Sequence, residues 1–242
     1  MKKFILSAVL SLISCAQVFA EDSTLNKQPY ADWARFNRYE KENAKLFESG
    51  AKPVAVFMGD SIIDMWSNVI HKEFFKENNY LGRALCGQTT IQMIARFYKD
   101  VLAFKPKVVV IMGGTNDIAE NEGYTEPDDI ANNIFMMAEL ARANGAVPVI
   151  CSITPAAQYR WRTRIKDVPA KIETVNNTLK DYCKKNGVIY LDYFSKLANA
   201  EKGLDPDLSG DGVHPNLKCY KIMEPLTKEA VDKALKRYKP KK

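Results

Sequence analysis

The amino-acid sequence predicts a single α/β domain built on a parallel sheet with helices on both faces. Three observations carry this prediction. Short apolar runs rich in β-branched residues are continuous rather than alternating, as strands buried on both faces require. Segments with apolar residues at three- and four-residue spacing lie between these runs, which is the mark of covering helices. No linker or repeat divides the 242 residues, of which 46% are hydrophobic and 26% charged, a balance foreign to disordered, collagenous or coiled-coil chains.

Taken in order, Lys2 and Lys3 precede an apolar run from Phe4 to Ile13 and the small-residue site Val18-Phe19-Ala20, the pattern of an export signal over residues 1–20. Leu12-Ile13-Ser14-Cys15 also has the form of a lipobox, so a lipidated Cys15 is the alternative to cleavage after Ala20. Residues 21–50 read as an N-terminal helical extension, with a charged amphipathic helix from Trp33 to Glu48, and residues 51–242 as the α/β domain. Strands are expected at Val54–Met58, Val108–Met112, Val147–Ile153 and Val188–Leu191. Helices are expected at Thr90–Ala103, Asp128–Asn144 and Lys171–Lys185, the last two stopped by Asn144-Gly145 and Asn186-Gly187. A final helix runs from Pro215 to Tyr238, broken or kinked near Pro225.

Loss of the signal removes two lysines and no acids, taking the formal charge from +6 to +4. That is far from the dense basic surface of a nucleic-acid binder, and Lys236 to Lys242 reads as a solvated tail. Beyond the signal, no apolar stretch reaches the length of a membrane span. Cys86, Cys151, Cys183 and Cys219 lack the C-x-x-C spacing of a zinc site. They read as buried free thiols; export permits disulfides, and the sequence does not set a pairing.

In a parallel sheet, functional residues gather at the carboxyl ends of the strands. The first strand runs into Gly59-Asp60-Ser61 and a helix start, which turns the Ser61 hydroxyl to the cleft and its N–H to the positive helix end. Taken alone, Ser61 is equally a helix cap. Gly113-Gly114-Thr115-Asn116-Asp117 ends a later strand, and the Asn116 amide can donate to a developing oxyanion, although the segment also fits a tight turn with an Asx cap. Gly87, just before a helix, offers a second donor through its backbone N–H. Of two histidines, His71 sits in a surface-like helical context, whereas His214 follows Asp211-Gly212-Val213 and precedes Pro215, which holds it out of helical geometry. An aspartate three residues before a loop histidine can reach the imidazole and fix its tautomer.

Together these segments resemble the sequence blocks of the GDSL or SGNH hydrolase family, and the resemblance covers the chain from about Val54 to Pro225. It implies a flavodoxin-like three-layer α/β/α sandwich and a serine esterase that uses no metal or organic cofactor. It further implies Ser61 as nucleophile, the N–H groups of Ser61 and Gly87 with the Asn116 amide as the oxyanion hole, and His214 with Asp211 completing the triad. Two positions depart from the family pattern: Ile62 stands where Leu follows the serine, and Cys219 stands where a glycine often precedes the tyrosine. The G-x-S-x-G elbow of the α/β-hydrolase fold is absent.

The segment Thr154 to Arg164 carries Tyr159 and Trp161, suited to stacking on a sugar ring, and Arg160, Arg162 and Arg164, suited to a carboxylate or phosphate. A plain connecting loop is the alternative. An export signal, no long apolar lid and the resemblance to secreted members of the family together imply a short acyl ester, acetyl foremost, on a carbohydrate as the expected substrate. The competing expectations are a lysophospholipase or lipase-like acylhydrolase and a catalytically silent glycan-binding module. The intact set of Ser61, Gly87, Asn116, Asp211 and His214 speaks against the last. The chain has no P-loop segment and no carboxylate cluster suited to metal-assisted phosphoryl transfer.

Overall fold

A computed structural model describes residues 32–240. The expected signal over residues 1–20, with Cys15, lies outside the described residues. The chain divides into two compact units, Met1–Arg38 and Tyr39–Lys242. The described part of the first, residues 32–38, forms turns. The second opens with α1 (Glu40–Glu48), β1 (Ala55–Gly59), α2 (Ser61–Met65), α3 (Lys72–Glu77), β2 (Tyr80–Gly82) and α4 (Thr90–Asp100). It continues through β3 (Val108–Met112), α5 (Thr115–Ile118), α6 (Pro127–Ala143) and β4 (Val147–Cys151). It ends with α7 (Val168–Asn186), β5 (Ile189–Leu191), α8 (Phe194–Leu197) and α9 (Leu217–Arg237).

The strands form one parallel sheet in the order β2-β1-β3-β4-β5. Successive side chains of a strand point to opposite faces, so a continuous apolar run feeds two cores at once. Val56, Met58, Val109 and Ile111 join Met93 and Phe97 of α4, Ile134 of α6 and Ile172 of α7 on one face. Ala55, Phe57, Val108 and Val110 join Ile62 of α2, Trp66, Phe75 of α3 and Tyr220 and Met223 of α9 on the other. The result is the three-layer α/β/α sandwich expected from the sequence.

Three local expectations are corrected. The helix expected over Trp33 to Glu48 is confined to Glu40–Glu48 and belongs to the larger unit, where the buried Asn43 bonds Arg83 and Asp100. Of the break or kink expected near Pro225, the break is absent: α9 runs from Leu217 to Arg237 with the proline inside it. Tyr193 and Thr227 hydroxyls bond across this stretch at 2.6 Å, and buried Met223, Ala230 and Val231 anchor both sides. That packing offsets the one backbone hydrogen bond a proline removes. The strand β2 was not expected at all, since three residues at a sheet edge are too short to show a period.

A polar network lies beneath the apolar faces. Buried Arg96 reaches Asp100 at 2.5 Å, Gln88 Oε1 at 2.7 and 2.9 Å and the Arg83 carbonyl at 3.0 Å. Asn43 joins Asp100 to Arg83, whose guanidinium lies over the Tyr39 ring. This network ties α1, the end of β2 and α4 to the segment that carries Gly87. Deleting one member of a buried ion pair leaves the other charge uncompensated. Asp100→Ala is therefore expected to lower the unfolding free energy by about 3–5 kcal/mol, read by urea denaturation; a loss below about 1 kcal/mol would show that the pair carries no such weight.

Candidate active site

The chain leaves β1 toward β2 on one side and leaves β3 toward β4 on the other, so a crevice opens at the carboxyl ends of these two neighbouring strands. Ser61 and Asn116 emerge there. After β1, Asp60 caps α2 by accepting the Ile62 N–H at 3.0 Å, and Ser61 is the first helical residue. Its N–H is one of the donors a helix start leaves open. After β3, Gly114 at φ +117° turns the chain into α5, whose second residue is Asn116. A Cβ on Gly114 would lie 2.6 Å from Ile153 Cδ1, so handedness and packing both demand glycine.

His214 lies on the loop between α8 and α9. Asp211 Oδ1 accepts the Ser209 hydroxyl at 3.0 Å and the N–H groups of Val213 and His214 at 2.9 and 2.8 Å. The carboxylate is thereby fixed before its other oxygen meets the ring. Asp211 Oδ2 is 2.6 Å from His214 Nδ1, and His214 Nε2 is 2.9 Å from Ser61 Oγ. With Nδ1–H directed at the carboxylate, Nε2 is left to accept the serine proton.

The segment from Leu85 to Thr89 crosses the same crevice. The Leu85 N–H bonds the Gly59 carbonyl at 3.1 Å, and the Cys86 N–H bonds Asp64 Oδ2 at 3.0 Å, tying the segment to β1 and α2. Gly87 adopts φ +81°. Asn116 Nδ2 donates to the Gln88 carbonyl at 3.0 Å. Asp117 accepts the Thr90 N–H at 3.0 Å and its hydroxyl at 2.6 Å, docking the start of α4 against α5. The N–H groups of Ser61 and Gly87 donate to no described residue.

The structure thus brings Ser61, His214 and Asp211 into one hydrogen-bonded line and sets Gly87 and Asn116 on the adjoining segments. Trp161 is 42% exposed, its ring 6.2 Å from the His214 ring. Arg160 helps line a cavity of about 190 Å³ with Gln158, Leu204, Gly210 and Asp211. Tyr159, expected as a stacking surface, is fully buried with its ring 5.2 Å from Trp161, so it supports that ring from within. Arg162 is half-buried and its N–H closes a turn on the Tyr159 carbonyl, while Arg164 pairs with Glu120. His71 bonds Glu224 and Lys221 and takes no part in the serine line. Cys151, Cys183 and Cys219 are buried free thiols; Cys86, expected to be buried with them, is exposed.

Two contributors were not read from the sequence. Asp117 was legible only as part of the Gly-Gly-Thr-Asn-Asp segment, and nothing marked Asn121, which faces Asn116 because Glu120 adopts φ +54°. Among the described residues, no group of three or more His, Cys, Asp or Glu side chains is placed to hold a metal ion. No helix among them is long and apolar enough to cross a membrane.

Comparison with known proteins gives one consistent picture. The sequence model of the GDSL-like Lipase/Acylhydrolase family matches residues 57–222. The chain is 42% identical to a Bacteroides fragilis protein described as an acylhydrolase, with a TM-score of 0.80 over 84% of this chain and 99% of the other. It is also 42% identical to a GDSL-like lipase of Bacteroides thetaiotaomicron, with a TM-score of 0.79 over 83% and 98% of the two chains. An acetylxylan esterase of Xylanibacter ruminicola is 27% identical over 154 residues, 55% of this chain. That match spans 30% of the esterase's own length.

Electrostatics divide the carboxylates around the serine. Partial burial pushes Asp211 up, but the His214 ring, the His214 and Val213 N–H groups and the histidine's charge outweigh it and hold the carboxyl well below its ordinary range. Asp60 goes the other way: full burial raises it to about 6 against the opposing Ile62 N–H and His214, and its Oδ2 has no hydrogen-bond partner. Burial likewise raises Asp117 to about 6 against the Thr90 hydrogen bonds. A carboxyl that binds its proton more tightly when folded contributes stability below its unfolded pKa and loses it as pH rises through about 6. Asp60→Asn, which keeps the Ile62 cap without the charge, is expected to raise stability by about 1–3 kcal/mol at pH 8 and to change it little at pH 4. Denaturation curves of both proteins at the two pH values check this, and an equal effect at both would show that Asp60 does not titrate in this interval.

Proposed function

Because the chain belongs to the GDSL-like lipase/acylhydrolase family, we propose that it is a serine esterase that removes short acyl groups, acetyl foremost, from carbohydrate, and that it is exported to do so. The observation that carries the reaction is the line Ser61 Oγ to His214 Nε2 at 2.9 Å and His214 Nδ1 to Asp211 Oδ2 at 2.6 Å. In this reading His214 takes the hydroxyl proton as Ser61 attacks the ester carbonyl. The N–H groups of Ser61 and Gly87 with the Asn116 amide receive the oxyanion. His214 then passes its proton to the leaving alcohol, and water releases the acyl group from Ser61 by the same route. Asp211 stays ionised, which suits a residue that must stabilise the imidazolium.

The substrate class rests on the rim. An exposed indole beside His214 suits the apolar face of a sugar ring. The cavity next to Asp211, with Gln158 and Arg160 on its wall, suits a hydroxyl-rich leaving group better than an acyl tail. The similarity to an acetylxylan esterase runs in the same direction. Export rests on the basic, apolar and small-residue pattern of residues 1–20, with lipidation at Cys15 as its variant form.

The mature protein is expected to hydrolyse p-nitrophenyl acetate faster than longer esters up to decanoate, and Ser61→Ala to lose about a thousandfold or more in kcat. A preference for decanoate would replace the carbohydrate reading with a lipid one, and full activity in the variant would remove Ser61 from the reaction. Trp161→Ala is expected to cut the ratio of kcat/KM for acetylated xylo-oligosaccharide over p-nitrophenyl acetate by about tenfold. An unchanged ratio would mean that the indole does not bear on the sugar.

A further inference from the structure

Asn121 makes more polar contacts within the site than any residue read from the sequence except Asp211, and none of them is to the serine, the histidine or the aspartate. Its Nδ2 donates to Asn116 Oδ1 at 2.8 Å and to the Gly87 carbonyl at 3.3 Å. Its Oδ1 accepts the Trp161 indole N–H at 3.4 Å. The backbone closes the same pair, since the Asn121 N–H bonds the Asn116 carbonyl at 3.0 Å. Left-handed Glu120 makes this approach possible, and its carboxylate is held by Arg164 from the segment that carries Trp161.

The polarity of these bonds leaves no freedom. An indole N–H only donates, and a backbone carbonyl only accepts. Asn121 must therefore turn its oxygen to Trp161 and its amide nitrogen to Gly87 and Asn116. Asn116 in turn presents its oxygen to Asn121 and its own nitrogen to the Gln88 carbonyl. The Gly87 carbonyl is held by Asn121, and the N–H of the same peptide, that of Gln88, bonds the Leu85 carbonyl at 3.3 Å, so both ends of the Gly87–Gln88 peptide are fixed. We propose that Asn121 is a positioning residue that, with the Gln88 carbonyl, sets the amide orientation of Asn116 so that its nitrogen faces the oxyanion, and that anchors the Gly87–Gln88 peptide of the segment that carries the Gly87 N–H. The inference rests on the reading of Asn116 and Gly87 as oxyanion donors.

The test compares Asn116→Ala, Asn121→Ala, Asn121→Asp and the double alanine variant on p-nitrophenyl acetate, with thermal melts alongside. Asn116→Ala is expected to lose about a hundredfold to a thousandfold in kcat. Asn121→Ala is expected to lose about tenfold to a hundredfold in kcat, with KM within about twofold. The double variant should fall no further than Asn116→Ala, because a residue that acts through another has nothing left to position. Asn121→Asp, of nearly equal size, should be slower than Asn121→Ala: its carboxylate repels Asn116 Oδ1, and because the amide cannot turn around without setting its oxygen against the Gln88 carbonyl, Asn116 is pushed out of line with the oxyanion. Losses that multiply in the double variant, or an aspartate variant as fast as the alanine one, overturn the positioning role while leaving the oxyanion hole intact. Full activity of Asn116→Ala overturns the oxyanion assignment itself. If Asn121→Ala fails to fold, the isosteric aspartate variant still decides: wild-type kcat there overturns the inference, and a selective kcat loss with an unchanged melt supports it.

Discussion

Two neighbouring strands whose chains depart in opposite directions organise everything at the upper edge of this sheet. β1 sends its chain to β2 and β3 sends its chain to β4, so the exits of the two strands diverge and leave a crevice between them. Residues that follow β1 and β3 are placed side by side although more than fifty positions separate them. The serine arrives at one helix start, the asparagine at the next, and the segment of Gly87 is laced to the first by the Leu85 and Cys86 N–H groups and to the second by the Asn116 amide on the Gln88 carbonyl. The acid–base loop then needs to supply only one contact to Ser61 for the line to close.

The crevice is stiffened from below by polar groups that the cores on either face exclude from water. Arg96 holds Gln88 through its side chain, while the Gln88 carbonyl accepts from Asn116. Asp117 clamps Thr90, and Asn133 of α6 bonds the same hydroxyl at 2.9 Å. These bonds cost desolvation and return rigidity: each buried group is satisfied in one geometry, so the donors above them have few alternatives to settle into. Asp60 Oδ2 and Arg83 Nη2 are among the exceptions, each buried without a hydrogen-bond partner.

Much of this was legible in the sequence because it depends on long or local patterns. Continuous β-branched runs announced four strands, since burial on both faces removes the need for alternation. Ser61, Asp211 and His214 stood out because their neighbours Gly59, Gly212 and Pro215 mark turns. What stayed hidden depended on tertiary packing. β2 is three residues long, and its pairing with β1 exists only in three dimensions. Pro225 signals a break locally, yet buried neighbours on both sides keep α9 whole. Tyr159 and Trp161 are two residues apart and look equivalent in a loop, but one faces the interior and the other the cleft. Asn121 depends on a left-handed glutamate, a conformation that no residue type in that segment advertises.

Asp211 and His214 are separated by three positions and share a loop whose hydrogen bonds are largely its own, from Ser209, Gly212, Val213 and the histidine backbone. Asp211 and His214 therefore form one hydrogen-bonded piece that meets Ser61 through a single 2.9 Å contact. In the proposed reaction, a shift of that loop by about an ångström would break the contact to Ser61 and leave the hydrogen bond between His214 and Asp211 in place. For the proposed esterase, loss of activity and loss of the fold would thus be governed by different sets of bonds.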